Sequence, residues 1–254
     1  MARLKILNPE AAPVVLDASA LSQSILAEAR SVRAPEECAR LDPLTAQLHG
    51  TAPDRIEGDA ARIAFWVNLY NALVLHRLCQ RPVRGSLLRH LRMFDTVAYR
   101  VGGRDYPLNL IENGLLRMNR RPPFRLRRRL RPSDPRLASA PSRVERRIHF
   151  ALNCGARSCP PIKAYEPTAL EEQLQLATRS YLQAEAGLDA DRGRLTLPRL
   201  MRLYRADFGH RREQLAFAAA HLPDVADCLG EGGTELKLGY ARFDWTAAPA
   251  SGGL

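Results

Sequence analysis

One stretch of the chain, ARIAFWVNLYNALVLHRLCQ (61–80), limits the possible folds more than any other. Trp66, Tyr70 and Leu73 follow the spacing of one helical face, and apolar residues occupy most of the other faces too. A helix that is apolar nearly all round is stable in water only where other elements cover it. We therefore expect this segment to be a buried helix at the centre of the molecule.

Polar side chains interrupt this apolar helix. Asn68 and Asn71 are three residues apart and share a face, and His76 lies about 80° round the helix from Asn68. A buried polar group without a partner costs about 1–3 kcal/mol. We therefore expect these groups to bond backbone, water, one another or a ligand. A structural network and a ligand site are both open alternatives.

A hairpin and a short helix are expected in the middle of the chain. Residues 95–110 alternate like strands around Gly102 and Gly103, whose backbone freedom suits a tight two-residue turn. Asn109 is then expected to cap a short helix, LIENGLLR, that carries Glu112.

Further elements follow from the same patterns. RIHFALNC (147–154) predicts a buried strand, and residues 167–187 predict a helix that begins with a capping box of Thr168 and Glu171. The remaining predictions are a helix containing Leu21, Ile25 and Ala29 with Asp17 or Ser19 as its cap, a strand around 194–197, helices near 198–207 and 211–222, and a final strand within TELKLGYARFDW.

These elements predict one α+β domain. We expect several helices and a small, mostly antiparallel sheet to pack around the central helix. Residues 1–60 are expected to form a helical extension on a core of residues 61–245, with residues 246–254 disordered.

Cysteine usage and the lack of targeting segments indicate an intracellular protein. Five cysteines are an odd and sparse set, which favours reduced thiols over a disulfide scaffold. The sequence has no signal-peptide pattern and no apolar run long enough for a transmembrane helix. We expect the chain in the cytoplasm.

A strong positive charge raises the question of an anionic partner. The formal net charge is +11, and the segment Arg117–Arg136 holds nine arginines against Asp134 alone. Clustered guanidiniums favour phosphate or membrane surfaces, but charge blocks are usually solvated loops. No zinc-finger spacing or aromatic interleaving supports nucleic-acid readout. An anionic partner at this segment is an alternative to a solvated loop.

The stretch HFALNCGARSC (149–159) carries the candidate chemistry. Four residues lie between Cys154 and Cys159, and no second Cys/His pair lies nearby, so neither a zinc site nor the two-residue spacing of a redox motif is present. A turning loop would still let the two sulfurs meet, as an attacking and a resolving thiol or as a protective disulfide. We expect no metal and no cofactor.

The surroundings of Cys154 favour a functional position. The residue ends a predicted strand, where sites concentrate, and Arg157 would favour its thiolate. His149 is an odd number of residues away, so a regular strand would place it on the opposite face. Glu112 is a candidate for orienting a histidine or for acid/base work. A buried structural cysteine is the alternative.

These same blocks resemble the domain of unknown function 547 family. The matching blocks, in order, are AFWVNLYNALVLH (64–76), LNLIENGLLR (108–117), DPRLA (134–138), IHFALNCGARSCPPIKAY (148–165), LEEQLQLATRSYL (170–182), LYRADFG (203–209) and YARFDW (240–245). The residues that match positions in the family's motifs are Trp66, Asn68, Asn71, Glu112, His149, Cys154, Cys159 and Pro160. The chain departs from the family at Asn113, where members often have histidine. The resemblance implies kinship and names no reaction.

Our leading hypothesis is a cysteine-dependent hydrolase or acyl transferase, with a papain-like or transglutaminase-like fold as analogy. Its substrate would be an amide, ester or thioester of a small molecule or peptide. The nucleophile would be Cys154 or, as a second choice, Cys159. The candidate catalytic residues are Cys154, His149, His76 and Glu112, and the candidate binding residues are Asn68, Asn71, Trp66, Arg157 and Cys159.

Two other hypotheses are open. In the first, Cys154 and Cys159 cycle between dithiol and disulfide or bind a thiol ligand. In the second, the chain is a non-enzymatic interaction or scaffold domain whose polar motif residues hold loops in place.

Overall fold

The long apolar segment forms helix α3 (Asp59–Gln80), and every residue from Ile63 to Val74 is buried. The computed structural model describes residues 3–123, 125–230 and 236–248 of the chain. Helix α1 (Ala18–Ser31) packs along α3 and begins where the Asp17 carboxylate accepts a hydrogen bond from the Ala20 N–H at 2.9 Å. The prediction of a buried central helix is confirmed.

Two small three-stranded sheets flank the helices. In the first, β1 (Lys5–Ile6) pairs parallel with β2 (Val97–Val101), which pairs antiparallel with β3 (Arg104–Pro107). The β2–β3 turn is the predicted Gly102-Gly103 pair, with φ angles of 54° and 73°. In the second sheet, β4 (Gly187–Asp189) pairs antiparallel with β5 (Arg194–Leu197), which pairs parallel with β6 (Lys237–Tyr240). Both sheets are therefore mixed, and the α+β class is confirmed.

The other helices are short except one. The longer one is α5 (Leu170–Glu185). The short α-helices are α2 (Asp42–Ala46), α4 (Met93–Thr96), α6 (Arg199–Leu203), α7 (Arg205–Phe208), α8 (Arg211–Ala219) and α9 (Pro223–Gly230), and Leu110–Leu116 form a π-helix. Single 3₁₀ turns occupy Pro35–Leu41, Gln47–Gly50, Pro53–Arg55, Leu87–His90, Pro135–Ser139 and Arg146–Phe150.

The prediction of a strand at residues 147–154 is wrong. The chain instead forms the 3₁₀ turn Arg146–Phe150 and then continues without a partner strand. Ile148 is buried in a main core around α3, whereas Phe150 is buried in a C-terminal core between α5, β5 and α8. Alternating apolar residues suggest a strand here, but in the structure these residues pack into two different cores.

Two predicted helix caps do not form. Asn109 has helical backbone angles, and its side chain donates to an Asp95 carboxylate oxygen at 2.8 Å instead of capping the π-helix. Helix α5 begins after Ala169 without a side-chain cap, and Glu171 bonds Arg147 at 2.6 Å. In both cases the side chain has a charged or polar partner from another segment, which local sequence does not reveal.

The two ends of the chain pair with other segments. Strand β1 joins the first sheet, and at the other end Thr246 bridges to Ser86 and Ala247 to Ala156. The predicted disordered tail therefore does not begin at residue 246, and residues 249–254 lie outside the described residues. None of the helices in the described ranges combines the length and apolarity needed to cross a bilayer.

Candidate functional site

Asparagine side chains on α3 hold the cysteine-containing segment in place. The Asn71 amide donates to the Ala151 carbonyl and accepts from the Asn153 N–H, both at 2.9 Å. The Asn68 amide makes the same pair of bonds with Tyr165, also at 2.9 Å. The central helix thus replaces the partner strand that this segment lacks, and the structural alternative for both asparagines is supported.

A third asparagine closes the loop between the two cysteines. The Asn153 side chain donates to the Pro160 carbonyl at 2.7 Å and accepts from the Gly155 N–H at 2.6 Å. Gly155 has φ +90°, and a Cβ there would lie 2.6 Å from the Leu78 Cδ1 atom. Only glycine fits this turn without strain. The turn brings Cys159 back against Cys154.

The two sulfurs are in contact but not bonded. Their separation is 3.0 Å, and both cysteines are free thiols. A disulfide bond measures about 2.05 Å, so the contact is a hydrogen bond between a thiol and a sulfur acceptor. The Cys154 N–H also donates to the Cys159 sulfur at 3.2 Å. The Cys159 sulfur therefore accepts from this N–H, and in the contact between the sulfurs either thiol can be the donor.

The two thiols have opposite tendencies to ionise. Burial opposes the Cys159 thiolate, but the Cys154 thiol and the N–H groups of Cys154, Ala156 and Gly155 outweigh burial and bring the pKa of Cys159 below its ordinary value. The bond to Cys159, together with burial, raises the pKa of Cys154 well above its ordinary value. The thiolate is the reactive form of cysteine. The lowered pKa that we expected for Cys154 therefore belongs to Cys159.

His149 belongs to a buried ion-pair network that the sequence analysis missed. Its Nε2 atom lies 2.8 Å from an Asp207 carboxylate oxygen. Asp207 also accepts from the Arg117 guanidinium through two nitrogens and from Arg120 at 3.0 Å. The side chains of Asp207 and Arg117 are almost completely buried. The predicted solvated loop therefore begins with a buried arginine.

The network determines how His149 is protonated. Burial lowers the pKa of His149 despite its bond to Asp207. Burial opposes the ionised form of Asp207, but bonds from His149 and Arg117 hold its pKa well below the ordinary value. Since the carboxylate only accepts, Nε2 carries the proton and Nδ1 is left as a proton acceptor. Within the described residues Nδ1 has no hydrogen-bond partner.

Glu112 is bound by tyrosines and lies near the histidine. Its carboxylate oxygens accept from the Tyr204 hydroxyl at 2.5 Å and from the Tyr70 hydroxyl at 3.3 Å. Burial and the neighbouring Glu112 charge raise the pKa of both tyrosines. The Tyr204 ring stacks on the His149 ring with 3.8 Å between centroids. Tyr204 thus contacts the buried Glu112 carboxylate through its hydroxyl and the His149 ring through its own ring.

One cavity of about 220 Å³ unites these groups. Its polar lining consists of Tyr70, Asn109, Glu112, Asn113, Arg125, Arg129, His149, Cys154, Cys159 and Tyr204. Its apolar lining consists of Leu88, Leu91, Phe94, Pro122, Pro123, Leu152, Pro160, Leu200, Leu203, Phe243 and Trp245. We call it the thiol cavity. His149 and the two cysteines share it because the segment between them is not a strand.

Three other predicted residues lie outside the thiol cavity. His76, expected as a base, instead contacts the Tyr99 hydroxyl and the Gln80 amide, each at 2.9 Å, and burial lowers its pKa to about 4. The Trp66 indole donates to the Ser139 carbonyl at 2.9 Å. Arg157 lines a second cavity of about 710 Å³ on the other side of the cysteine loop. His76 and Trp66 lie outside the thiol cavity because both are buried residues of α3.

The arginine-rich segment is largely paired within the molecule. The pairs are Arg117 and Arg120 with Asp207, Arg125 and Arg129 with Asp95, and Arg136 with Asp134. Five of the nine arginines of Arg117–Arg136 are thus paired, with three carboxylates between them, so these contacts satisfy part of the charge that suggested an anionic partner.

Among the residues that the structure describes, no three His, Cys, Asp or Glu side chains are grouped to hold a metal ion. Some polar groups of the thiol cavity bond one another, as Glu112 does with Tyr70 and Tyr204 and Cys154 does with Cys159.

Sequence signals existed for some of the missed residues. Asp207 and Tyr204 lie in the block LYRADFG, and Asn153 lies in HFALNC, yet nothing local indicates what they contact. Arg117 ends the matching block LNLIENGLLR, but nothing local distinguishes it from the eight other arginines that follow it within its segment.

Comparison with known proteins agrees with the motif blocks. Searches of curated proteins and of solved structures found no match. A family model described as "Protein of unknown function, DUF547" matches residues 54–182, which include α3, Glu112, His149 and both site cysteines. Asp207 and Tyr204 lie beyond the matched range. The chain belongs to the domain of unknown function 547 family.

Proposed function

We propose that this protein is a thiol–disulfide oxidoreductase that uses Cys159 as the attacking thiol and Cys154 as the resolving thiol. The observation that carries the proposal is the 3.0 Å contact between the two sulfurs in the wall of the thiol cavity. A pair of reduced thiols at this distance needs a small movement to form a disulfide.

The hydrogen bonds around the two sulfurs support these roles. Cys159 accepts from the Cys154 N–H and thiol, which favours its thiolate. The thiolate is the form that attacks a disulfide. Cys154 keeps its proton until the attack has taken place, as a resolving thiol must.

The reaction balances with a small-molecule disulfide as oxidant. The Cys159 thiolate attacks one substrate sulfur, the substrate S–S bond breaks, and one thiolate leaves and takes the Cys154 proton. Cys154 then attacks the Cys159 sulfur, and the second substrate thiolate leaves. The substrate gains two electrons and the protein holds a Cys154–Cys159 disulfide. Two molecules of a low-molecular-weight thiol then return the protein to the dithiol by successive exchange and leave as their own disulfide.

Acyl transfer is the second candidate. It is favoured by His149, which lines the same cavity and is bonded to Asp207, because a histidine oriented by a carboxylate is the usual partner of a nucleophilic thiol. We rank it second for two reasons. Neither cysteine has a hydrogen bond to His149 in the described structure, and the Cys154 N–H is directed at a sulfur instead of an open oxyanion position.

Oxidised glutathione is a suitable probe for the first proposal. Trypsin cleaves after Arg157, so a Cys154–Cys159 disulfide would link the peptides IHFALNCGAR and SCPPIK. We expect this linked product on mild oxidation, with the mass of two hydrogen atoms lost and restored by dithiothreitol. Cys154→Ser and Cys159→Ser should each abolish it.

The second pair of thiols provides a matched control. Cys38 and Cys79 are close enough to hydrogen bond, but burial and this bond raise the pKa of Cys38 to about 12. A Cys38→Ser/Cys79→Ser variant should form the linked peptides as readily as the natural chain. Linked peptides formed only from Cys38 and Cys79 would exclude the oxidoreductase proposal. Turnover of an activated thioester by Cys154→Ser but not Cys159→Ser would favour acyl transfer.

A further inference from the structure

Two exposed leucines line the thiol cavity, and a third is adjacent in sequence to one of its lining residues. Leu88 and Leu91 line the cavity and are 49 % and 45 % exposed. Leu126 is 87 % exposed and directly follows Arg125, another lining residue. Large apolar side chains grouped at one opening mark a surface that meets an apolar partner. We call these three leucines the apolar rim.

A basin of unpaired positive charge lies beside the apolar rim. It is a depression of about 500 Å³, and no acidic residue lines it. Its cationic or titratable lining residues are Arg3, Lys5, Arg77, Arg81, Arg89, His90 and Arg92. Within the described part of the chain none of these side chains forms an ion pair, in contrast to Arg117 or Arg125. We call it the basic basin.

One short segment joins the rim and the basin. In the turn that includes Leu87–His90 and the start of α4, Leu88 and Leu91 line the thiol cavity while Arg89 and Arg92 line the basin. Within the five residues 88–92, Leu88 and Leu91 thus contribute to the apolar rim, and the other three contribute to the basic basin.

We propose that the apolar rim and the basic basin together form a docking surface for an anionic lipid bilayer. Cations near a membrane are attracted by its negative surface potential, and apolar side chains enter the boundary between headgroups and acyl chains. A phosphate-binding or nucleic-acid surface uses the arginines but gives exposed leucines no role. Docking would set the opening of the mostly apolar thiol cavity against the lipid, from which an apolar ligand could enter.

Vesicle sedimentation tests this docking surface. The natural chain should sediment with vesicles of equal parts phosphatidylcholine and phosphatidylglycerol, and not with phosphatidylcholine alone. Arg89→Gln/Arg92→Gln and Leu88→Gln/Leu91→Gln should each weaken this binding by about tenfold or more. Added salt should weaken binding of the leucine variant and of the natural chain alike.

Matched substitutions on a distant helix surface provide the control. Leu176 and Arg179 are exposed on α5, and Arg212 is exposed on α8. Leu176→Gln and Arg179→Gln/Arg212→Gln change the same residue types and should leave vesicle binding unchanged. Circular dichroism of every variant ensures that altered binding does not reflect unfolding.

The outcomes separate a bilayer from other anions. Unchanged vesicle binding by the leucine variant, with equal competition from duplex DNA or inorganic triphosphate, would overturn bilayer docking in favour of a phosphate site. Equal loss of binding in the α5–α8 control would show charge attraction without a defined surface. No sedimentation with either vesicle would also refute the proposal. The cysteine substitutions test the oxidoreductase proposal separately, because docking does not require the thiols.

Discussion

Asp207 shows how one buried charge organises the thiol cavity. It is fully buried, and it accepts hydrogen bonds from both His149 and Arg117. A buried pair is costly to form, but removing one partner is more costly still, because the other charge is left unpaired in the protein interior. The residue therefore contributes to stability and also fixes the protonated nitrogen of His149.

Asp207→Asn is expected to lower the free energy of unfolding by about 3–5 kcal/mol, because Arg117 loses its buried counter-charge. Urea denaturation measures the change. The partly exposed pair of Arg100 and Asp105 offers a control, and Asp105→Asn should cost less than about 1 kcal/mol. Equal losses in the two variants would contradict the importance of burial.

The two site thiols are expected to differ in reactivity from the thiols elsewhere. Near neutral pH, iodoacetamide should label Cys159 before Cys154, because the Cys154 thiol and backbone N–H groups lower the pKa of Cys159, whereas the bond to Cys159 and burial raise the pKa of Cys154. Cys38, with a pKa of about 12, should react slowest. Timed labelling followed by peptide mass spectrometry gives the order. Faster labelling of Cys38 than Cys159 would show that the loop does not activate Cys159.

At the scale of elements, the central helix α3 both fills the core and replaces a strand. Asn68 and Asn71 present their amides to the backbone at Tyr165, Ala151 and Asn153. Each bond satisfies a buried group that would otherwise cost about 1–3 kcal/mol. These bonds to α3 hold the irregular segment in place without a partner strand. Its loop can then bend back at Gly155.

Gly155→Ala tests this bend. The residue has φ +90°, and the new methyl group would meet Leu78 at 2.6 Å, so we expect a loss of about 2 kcal/mol or more and slower labelling of Cys159. Gly85→Ala is the matched control, since Gly85 has φ +76° but nothing lies within 4 Å of an added Cβ. Gly85→Ala should lower the free energy of unfolding by about 1 kcal/mol, the cost of the positive φ angle alone. The difference in urea denaturation isolates the contact with Leu78.

At the scale of the whole molecule, burial of histidines couples stability to pH. Burial lowers the pKa of His76 from 6.5 to about 4, and it also lowers the pKa of His149. Such a group binds a proton in the unfolded chain at a higher pH than in the folded one. The stability that depends on the neutral form is therefore fully present above the unfolded value of 6.5 and is lost as the pH falls towards 4.

For His76 alone this effect amounts to about 3 kcal/mol between pH 6.5 and 4. Urea denaturation of the natural chain across this range should show the loss. His76→Gln keeps hydrogen-bonding capacity without the titration and should flatten the pH dependence by about that amount. An unaltered slope in His76→Gln would refute the assignment.

A feature of the fold could be predicted from the sequence where the interactions that cause it lie within a few residues of one another. The buried helix, the Gly102-Gly103 turn and the Asp17 cap follow from spacing and backbone chemistry within a few residues, and all were predictable. The irregular structure of residues 147–154 could not be predicted, because their alternating apolar side chains pack into two different cores.

The sequence by itself determined the central helix, the α+β class and the motif that contains both thiols, because periodicity and residue type act over short distances. Tertiary structure decided the site. His149 meets Asp207 across 58 residues, and Arg117 meets it across 90. Which sulfur accepts hydrogen bonds depends on the turn at Gly155, and whether an arginine is buried or solvated depends on its distant partner. Such choices arise from contacts between segments, since burial makes each unpaired polar group costly.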